Sequence, residues 1–559
     1  MKLIKNYFIL FLSLSLFAAC DFMDCDESDN YSLDQIKGNY NHVKQYVTNV
    51  YGYVTHDFLN TDGAMQDAAT DDAIHVYEGS NIQRFVNGTW SPTYTIDDLY
   101  GYYYRGIYDA NFYLENLCGL TFDEWKYNID YEDWMKAYVV HEDEVRYLRA
   151  YFYFELVKRY QNIPLITKTL TESEANEMQP ASATEILDFI IAECTDVAKR
   201  LPLTYVKGFK SDEKGRATKA VALALKARVA LYAASPLFNP DNDKKKWVIA
   251  AEAAAEIIND NTTLGCALDG NFSNLFGAEN YKSSENIWVR SIGVSNGFES
   301  GNFPMGVAGG KTSTCPTENL ASAFEMVDGS LFDWNKEEMR KNPYANRDPR
   351  FYLTIVHNGM KWPKNVAVEV WEGGANALPL PNATVTGYYL RKYVNNNVSF
   401  ESGQTPATLQ HSWVLFRYAE VLLNYAEAMV NAYGDINYTT PVCKMSALDA
   451  VNAVRGRNGV KMPTLPKNLS PEEFIKRSKN ERRVELAFEG HRFWDLRRWK
   501  ELGVSKDIYA TKITKEGSAI HYEKILLESR KIEDKLYFYP IANSELFKNG
   551  HLKQNTGWQ

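Results

Sequence analysis

The side chains in this chain best suited to chemistry are flat rings and carboxylates set among glycines. Trp90 and Tyr94 flank Pro92 just after Gly88, and Asp71 and Asp72 lie upstream. Phe298 and Phe303 sit in a glycine-rich run, 293–314, that includes Gly306-Val307-Ala308-Gly309-Gly310. Trp371 stands just before Gly373 and Gly374. Rings carried on loops are free of the core and can meet the C–H faces of sugar rings. Hydroxyls need a few Asp, Asn, Arg or backbone groups beside them. Ligand-binding roles are therefore expected for Trp90, Tyr94, Phe298, Phe303 and Trp371, with Asp71 and Asp72 as polar partners. Each has a plainer alternative: a ring that plugs the core or an aspartate that caps a turn.

Other chemistries find less support. His491 and Asp495 are four apart, but Glu489 is only two positions from His491 and points elsewhere on a helix, so a third metal ligand is missing. The acidic loops lack the D-x-D-x-D-G pattern of a calcium loop. Gly310-Lys311-Thr312 has no glycine five positions earlier, so it is not a phosphate loop. A glycoside hydrolase needs two carboxylates about 5–10 Å apart. With 71 acidic residues a pair is always available, yet no segment shows the βα alternation of a barrel that would present one. No catalytic residue and no cofactor is expected.

These residues must be held by a large frame. The chain has 559 residues, 45% of them hydrophobic, and 37 tyrosines. The net charge of −10 argues against a nucleic-acid partner. Residues 1–19 read as an export signal: Lys2 and Lys5 precede a mostly apolar run too short to span a membrane. Phe17-Ala18-Ala19-Cys20 resembles a bacterial lipobox, which makes Cys20 the expected lipidation site; ordinary secretory cleavage is the alternative. Asp21, Asp24, Asp26, Glu27 and Asp29 then resemble the acidic tether of surface-exported lipoproteins in Bacteroidetes. The six remaining cysteines show no C-x-x-C spacing, so zinc is unsupported and any pairing is left open.

Periodicity predicts helices within 31–60, over 100–117, 142–160, from a Ser182 or Thr184 cap to Arg200, and over 217–234 and 244–259. Further helices are predicted over 413–433, 447–458 and from Pro471 through 480–500. Short strands are predicted at 286–289 and 351–356, and loop at the C-terminal end. Ala150-x3-Phe154, Ala227-x3-Leu231 and Ala426-x3-Val430 set a small residue one turn before a larger one, as helix pairs in tetratricopeptide arrays do. Ordinary amphipathic helices would show the same.

The stretch 480–500, NERRVELAFEGHRFWDLRRWK, is densely charged and also carries four aromatics that need cover. Its carboxylates and arginines are expected to neutralise one another in a partly buried helix. This stretch resembles the C-terminal signature of the SusD/RagB family. Arg417-Tyr418-Ala419-Glu420-Val421-Leu422-Leu423, Val451-Asn452-x-Val454-Arg455-x-Arg457, Tyr539-Pro540-Ile541 and the terminal Q-N-x-G-W resemble further family motifs. Ala542 and Thr556 depart where the family has proline. The resemblance implies an all-α fold of tetratricopeptide-like helix pairs across a domain spanning 20–559. The scaffold would occupy about 31–260 and 411–510, and an irregular ligand face about 59–95 and 264–410. It further implies an outer-membrane, cell-surface lipoprotein that is not an enzyme. Such a protein binds a glycan, or sometimes a peptide, and hands it to a TonB-dependent transporter. A surface glycoside hydrolase and a scaffold that binds only protein are the alternatives.

Overall fold

The structure is a computed structural model, and it describes residues 31–205 and 215–559. The signal segment 1–19, Cys20 and Cys25 lie outside the described residues.

Helices form the frame. They are α1 (Tyr40–Tyr51), α2 (Tyr100–Asn116), α3 (Tyr131–Tyr160), α4 (Ala183–Val197), α5 (Lys219–Ala234) and α6 (Lys244–Asn259). After a long irregular insertion come α7 (Tyr418–Tyr433), α8 (Ala447–Gly456), α9 (Pro471–Glu485) and α10 (Arg492–Arg498). Each of α2 to α6 packs on the next, α6 packs on α7, and α7 on α8 and α9. The insertion is thus looped out of a continuous array of helix pairs. Alanine makes the close approaches possible: Ala222, Ala224, Ala227 and Ala230 of α5 and Ala250, Ala251, Ala254 and Ala255 of α6 are all buried. Caps fall where side-chain chemistry places them. Ser182 and Glu185 close a reciprocal capping box on α4, and Pro471 occupies the first turn of α9 behind Ser470.

Among the described residues strands form five pairs; one, Ile163–Pro164 with Pro180–Ala181, lies between α3 and α4, and four lie outside the array. They are β1 (Ala73–His75) with β3 (Thr314–Pro316), β2 (Asn286–Ser295) with β6 (Leu409–Arg417), β4 (Ile355–Val356) with β5 (Tyr389–Leu390), and the hairpin β7 (Asp507–Glu516) with β8 (Ala519–Ser529). All four pairs are antiparallel. Among the described residues no helix is long and apolar enough to cross a membrane.

Several local expectations change. The first helix region is two helices, Leu33–Lys37 and Tyr40–Tyr51, interrupted at Gly38 and closed at Gly52. Residues 413–417 belong to β6, not to the helix that follows, because Trp413 to Arg417 are buried without alternation and such a run has no diagnostic period. Residues 351–354 are helical, started by the Asp348 cap and Pro349, and only Ile355–Val356 is strand. The hairpin of β7 and β8, which turns at Gly517, occupies a stretch where no element is predicted. A short helix, Asn543–Lys548, interrupts the C-terminal loop.

The charged stretch 480–500 is also not one helix. α9 ends at Glu485, the chain turns through Phe488 (φ 60°) and Gly490 (φ 73°), and α10 restarts at Arg492. Electrostatics accounts for the break. Arg350 holds Asp348, Glu481 and Glu485, while Arg417 holds Glu285, Glu485 and Glu489. The Lys392 ammonium donates to the Ala487 carbonyl and to Glu489, both at 2.7 Å. Glu485 and Glu489 are four apart and would share a face even in a straight helix; what the break frees is backbone, since the Glu485 carbonyl accepts from Arg417 Nη2 at 2.8 Å and the Ala487 carbonyl from Lys392, both of which a continuous helix would use for itself. Burial raises the cost of every carboxyl here, and the arginines outweigh it: Glu481, Glu489 and Asp495 are all held below the ordinary carboxylate range.

Candidate functional site

The three irregular regions converge into one face. β1 and β3 join the first region to the second, with Ala73 opposite Pro316 and His75 opposite Thr314. Beside them the Ser313 hydroxyl donates to the Gly63 carbonyl, and the Tyr77 hydroxyl donates to the Lys311 carbonyl at 2.6 Å. Phe58 packs its ring on Phe298 at 4.9 Å and on Trp413 at 5.2 Å. The third region is tied on by Asn376, whose amide donates to the Met305 carbonyl at 2.7 Å. Gly306, at φ 87°, lies against the Ala375 carbonyl, a place with no room for a side chain.

Most of the expected site residues hold this face together and do not open onto it. Trp90 is 3% exposed, boxed by Phe85 at 4.7 Å, Tyr539 at 4.7 Å and Trp558 at 5.0 Å. Its ring closes the core and offers no free face. Phe298 is buried between Phe58 and His411, and Phe303 between Trp362 and Phe400. Glycine-rich loops lacking a core of their own need such rings as anchors. Asp71 and Asp72 are buried too. Arg492 forks onto Asp71 with both distances 2.9 Å, and Arg483 donates to Asp72 at 2.7 Å. Burial alone would raise both carboxyls. Arg483 and Arg492 overcome it at Asp71, which is held at about 2, while Asp72, with the Asp71 charge beside it, is raised. The two aspartates neutralise the arginines of the charged stretch and are not available to a ligand.

Two expected residues remain accessible. Tyr94 is 48% exposed, with the Arg84 guanidinium 3.9 Å over its ring. Trp371 is half-buried, with the Lys515 ammonium 4.0 Å over its ring. Around Tyr94 the structure assembles polar groups that the sequence reading passed over. Asn81 Oδ1 accepts from Tyr94 Oη at 3.3 Å and from Arg84 Nε at 3.1 Å. The backbone N–H of Asn81 is fixed by Asp62 at 3.0 Å. Tyr77 lies half-buried just before this group. The only signal in sequence was their position in the same glycine-punctuated loop, between Gly79 and Gly88 and just before Gly79. A phenol ring, a guanidinium and an amide at one exposed spot can bind a flat, hydroxylated ligand by weak, reversible contact.

Among the described residues no cluster of three His, Cys, Asp or Glu is placed to hold a metal. Asp495 is held between Arg482 at 2.7 Å and Arg498 at 2.8 Å, and burial drives His491 well below its usual range. Cys118, Cys194, Cys266, Cys315 and Cys443 are free thiols.

An array of helix pairs carrying a fused, irregular face with an exposed ring–guanidinium–amide group defines a helical-repeat binding protein. Comparison with known proteins narrows this. A family profile described as "SusD family" matches residues 275–558, and one described as "Starch-binding associating with outer membrane" matches residues 21–231. The chain belongs to the SusD family. It is 22% identical over 540 residues to SusD-like protein P25 of Formosa agariphila, covering 89% of this chain and 90% of that one. Among solved structures it is similar to a SusD-like protein of Bacteroides fragilis, with a TM-score of 0.74 at 27% identity, covering 94% of this chain and 98% of the other. A laminarin-binding SusD-like protein shares the fold with a TM-score of 0.62 at 23% identity, covering 93% and 98%.

Proposed function

We propose that this protein captures an oligosaccharide at the cell surface and delivers it to a TonB-dependent outer-membrane transporter, held in place by lipid on Cys20. The exposed Tyr94–Arg84–Asn81 group is the observation that carries the binding half. Tyr77, on the same loop, and Trp371, half-buried on the third loop region, are further candidate rings. The family description as starch-binding and outer-membrane-associated supports the same reading, as does the laminarin named for one structural neighbour. The lipobox-like sequence and acidic start support the anchor. Binding without bond cleavage is the expected chemistry; Asp71 and Asp72, the carboxylates expected beside the rings, are locked to arginines.

The test is a titration of the soluble protein lacking residues 1–20 against a panel of neutral glucans, laminarin oligosaccharides included. At least one should bind, Tyr94→Ala should weaken it about tenfold, and no new reducing ends should form. A panel without a single ligand, or reducing ends that accumulate with protein, overturns the reading. For the transporter half, affinity capture of the full-length lipidated protein from solubilised outer membranes should recover a barrel protein. Recovery of none overturns that half alone.

A further inference from the structure

A cavity of about 230 Å³ lies apart from the Tyr94 group. The rings of Phe276, Trp362 and Tyr393 line it together with Arg391, Asn396 and Asn397. Phe276 and Tyr393 meet at 4.9 Å, and Trp362 is braced by Phe303 at 5.6 Å, which ties this cavity to the second loop region. Tyr393 sits at φ 66°, a conformation uncommon for an aromatic residue and frequent at ligand clamps.

The charge at this cavity is unusual for the molecule. The chain carries ten more acidic than basic residues, yet neither Asp nor Glu lines this space. Of the two cations lining it, Lys392 is committed to Glu489 at 2.7 Å. Arg391 is not committed to any acid. Its Nη1 donates to the Tyr352 carbonyl and lies 3.9 Å from Met360 Sδ. Among the described residues no carboxylate pairs with it, whereas Arg350, Arg417 and Arg455 each hold at least two. Burial accordingly depresses its pKa with no acid to oppose the effect. Asn396 and Asn397 are exposed at the rim, and among the described residues no side-chain hydrogen bond engages their amides.

A half-buried guanidinium without a counter-charge, beside aromatic rings and free amides, matches a particular ligand chemistry. The planar fork of arginine pairs with a carboxylate or sulfate, the largely buried rings of Phe276, Trp362 and Tyr393 wall the cavity, and the amides take the hydroxyls of a sugar. We propose that this cavity binds an acidic sugar, with its anionic group on Arg391 and its hydroxyls on Asn396 and Asn397. The inference rests on the reading that this chain binds glycans, and it adds the charge class of a second sugar subsite.

Calorimetric titration tests it with trigalacturonate as the carboxylate probe, a sulfated galactan oligosaccharide as the sulfate probe, and neutral galactotriose. The soluble wild type should bind at least one acidic probe about tenfold more tightly than the neutral one. Arg391→Gln should abolish that preference. Asn397→Asp, at an exposed position that leaves folding intact, should abolish it as well by placing a like charge at the rim. A wild type that binds neutral glucans but shows no acidic preference overturns this proposal and spares the Tyr94 site. Survival of the preference in both Arg391→Gln and Asn397→Asp overturns it too. A wild type that binds neither glucan nor acidic probe overturns both readings together.

Discussion

Arg417 and Glu489 form a forked ion pair deep in the protein, Nε to Oε2 at 2.7 Å and Nη2 to Oε1 at 2.8 Å. One residue closes the strand β6; the other sits in the turn that splits the charged stretch in two. The pair fastens the helical array to the end of the insertion's exit strand, so frame and face share one electrostatic centre.

Removing one partner of that pair leaves an uncompensated buried charge, which costs about 3–5 kcal/mol. Glu489→Ala should therefore lower the urea midpoint sharply. The double variant Glu489→Leu with Arg417→Met should be closer to wild type than either single change, because it removes both charges. Chemical denaturation followed by tryptophan fluorescence measures this.

Trp90 and Tyr94 are four residues apart and should behave oppositely. Trp90→Ala empties a boxed core site and should cost about 3–5 kcal/mol of stability. Tyr94→Ala should change stability by no more than about 0.5 kcal/mol while weakening glycan binding. Parallel unfolding and titration of the two variants separate a core ring from a contact ring.

Asp67 gives the fold a pH dependence of definite sign. Burial, and then the nearby Asp72 charge, raise its carboxyl to about 7, and its Oδ2 lacks any hydrogen-bond partner. The folded state therefore holds this proton more tightly than the unfolded chain, whose carboxyl has the ordinary value of 3.8. The group's contribution is most favourable below the unfolded value and is lost as pH rises from there through about 7. Asp67→Asn should raise the thermal midpoint more at pH 8 than at pH 5. Equal shifts at both pH values would contradict it.

Gly306 should tolerate no side chain. At φ 87° an added Cβ would collide with the Ala375 carbonyl. Gly306→Ala should loosen the third loop region from the second, seen as faster proteolytic cleavage within 365–380 than in wild type. The helical array should keep its circular dichroism.

The positions of most scaffold helices were legible because their signals are local. Ser182 with Glu185, Pro471 behind Ser470, and the alanine faces of α5 and α6 mark helices wherever they occur. Residues 409–417 were not legible as strand, since a segment buried on every side loses its period. The break after Glu485 was hidden for a different reason. Nothing within the stretch shows that Arg417 and Lys392, distant in sequence, will take the Glu485 and Ala487 carbonyls that a continuous helix would use.

The loop residues show the same division. The sequence by itself determined the helical frame, the family and the stretches that become the irregular face, because composition, periodicity and motif are properties of neighbouring residues. Only the tertiary structure decided which side chains in those stretches reach solvent. Trp90, Phe298 and Phe303 turned inward to anchor loops that lack a core, and Asp71 and Asp72 turned inward to meet Arg492 and Arg483. Tyr94, with Arg84 and Asn81 around it, was left outside. Exposure depends on what packs opposite, and that partner often lies tens to hundreds of residues away.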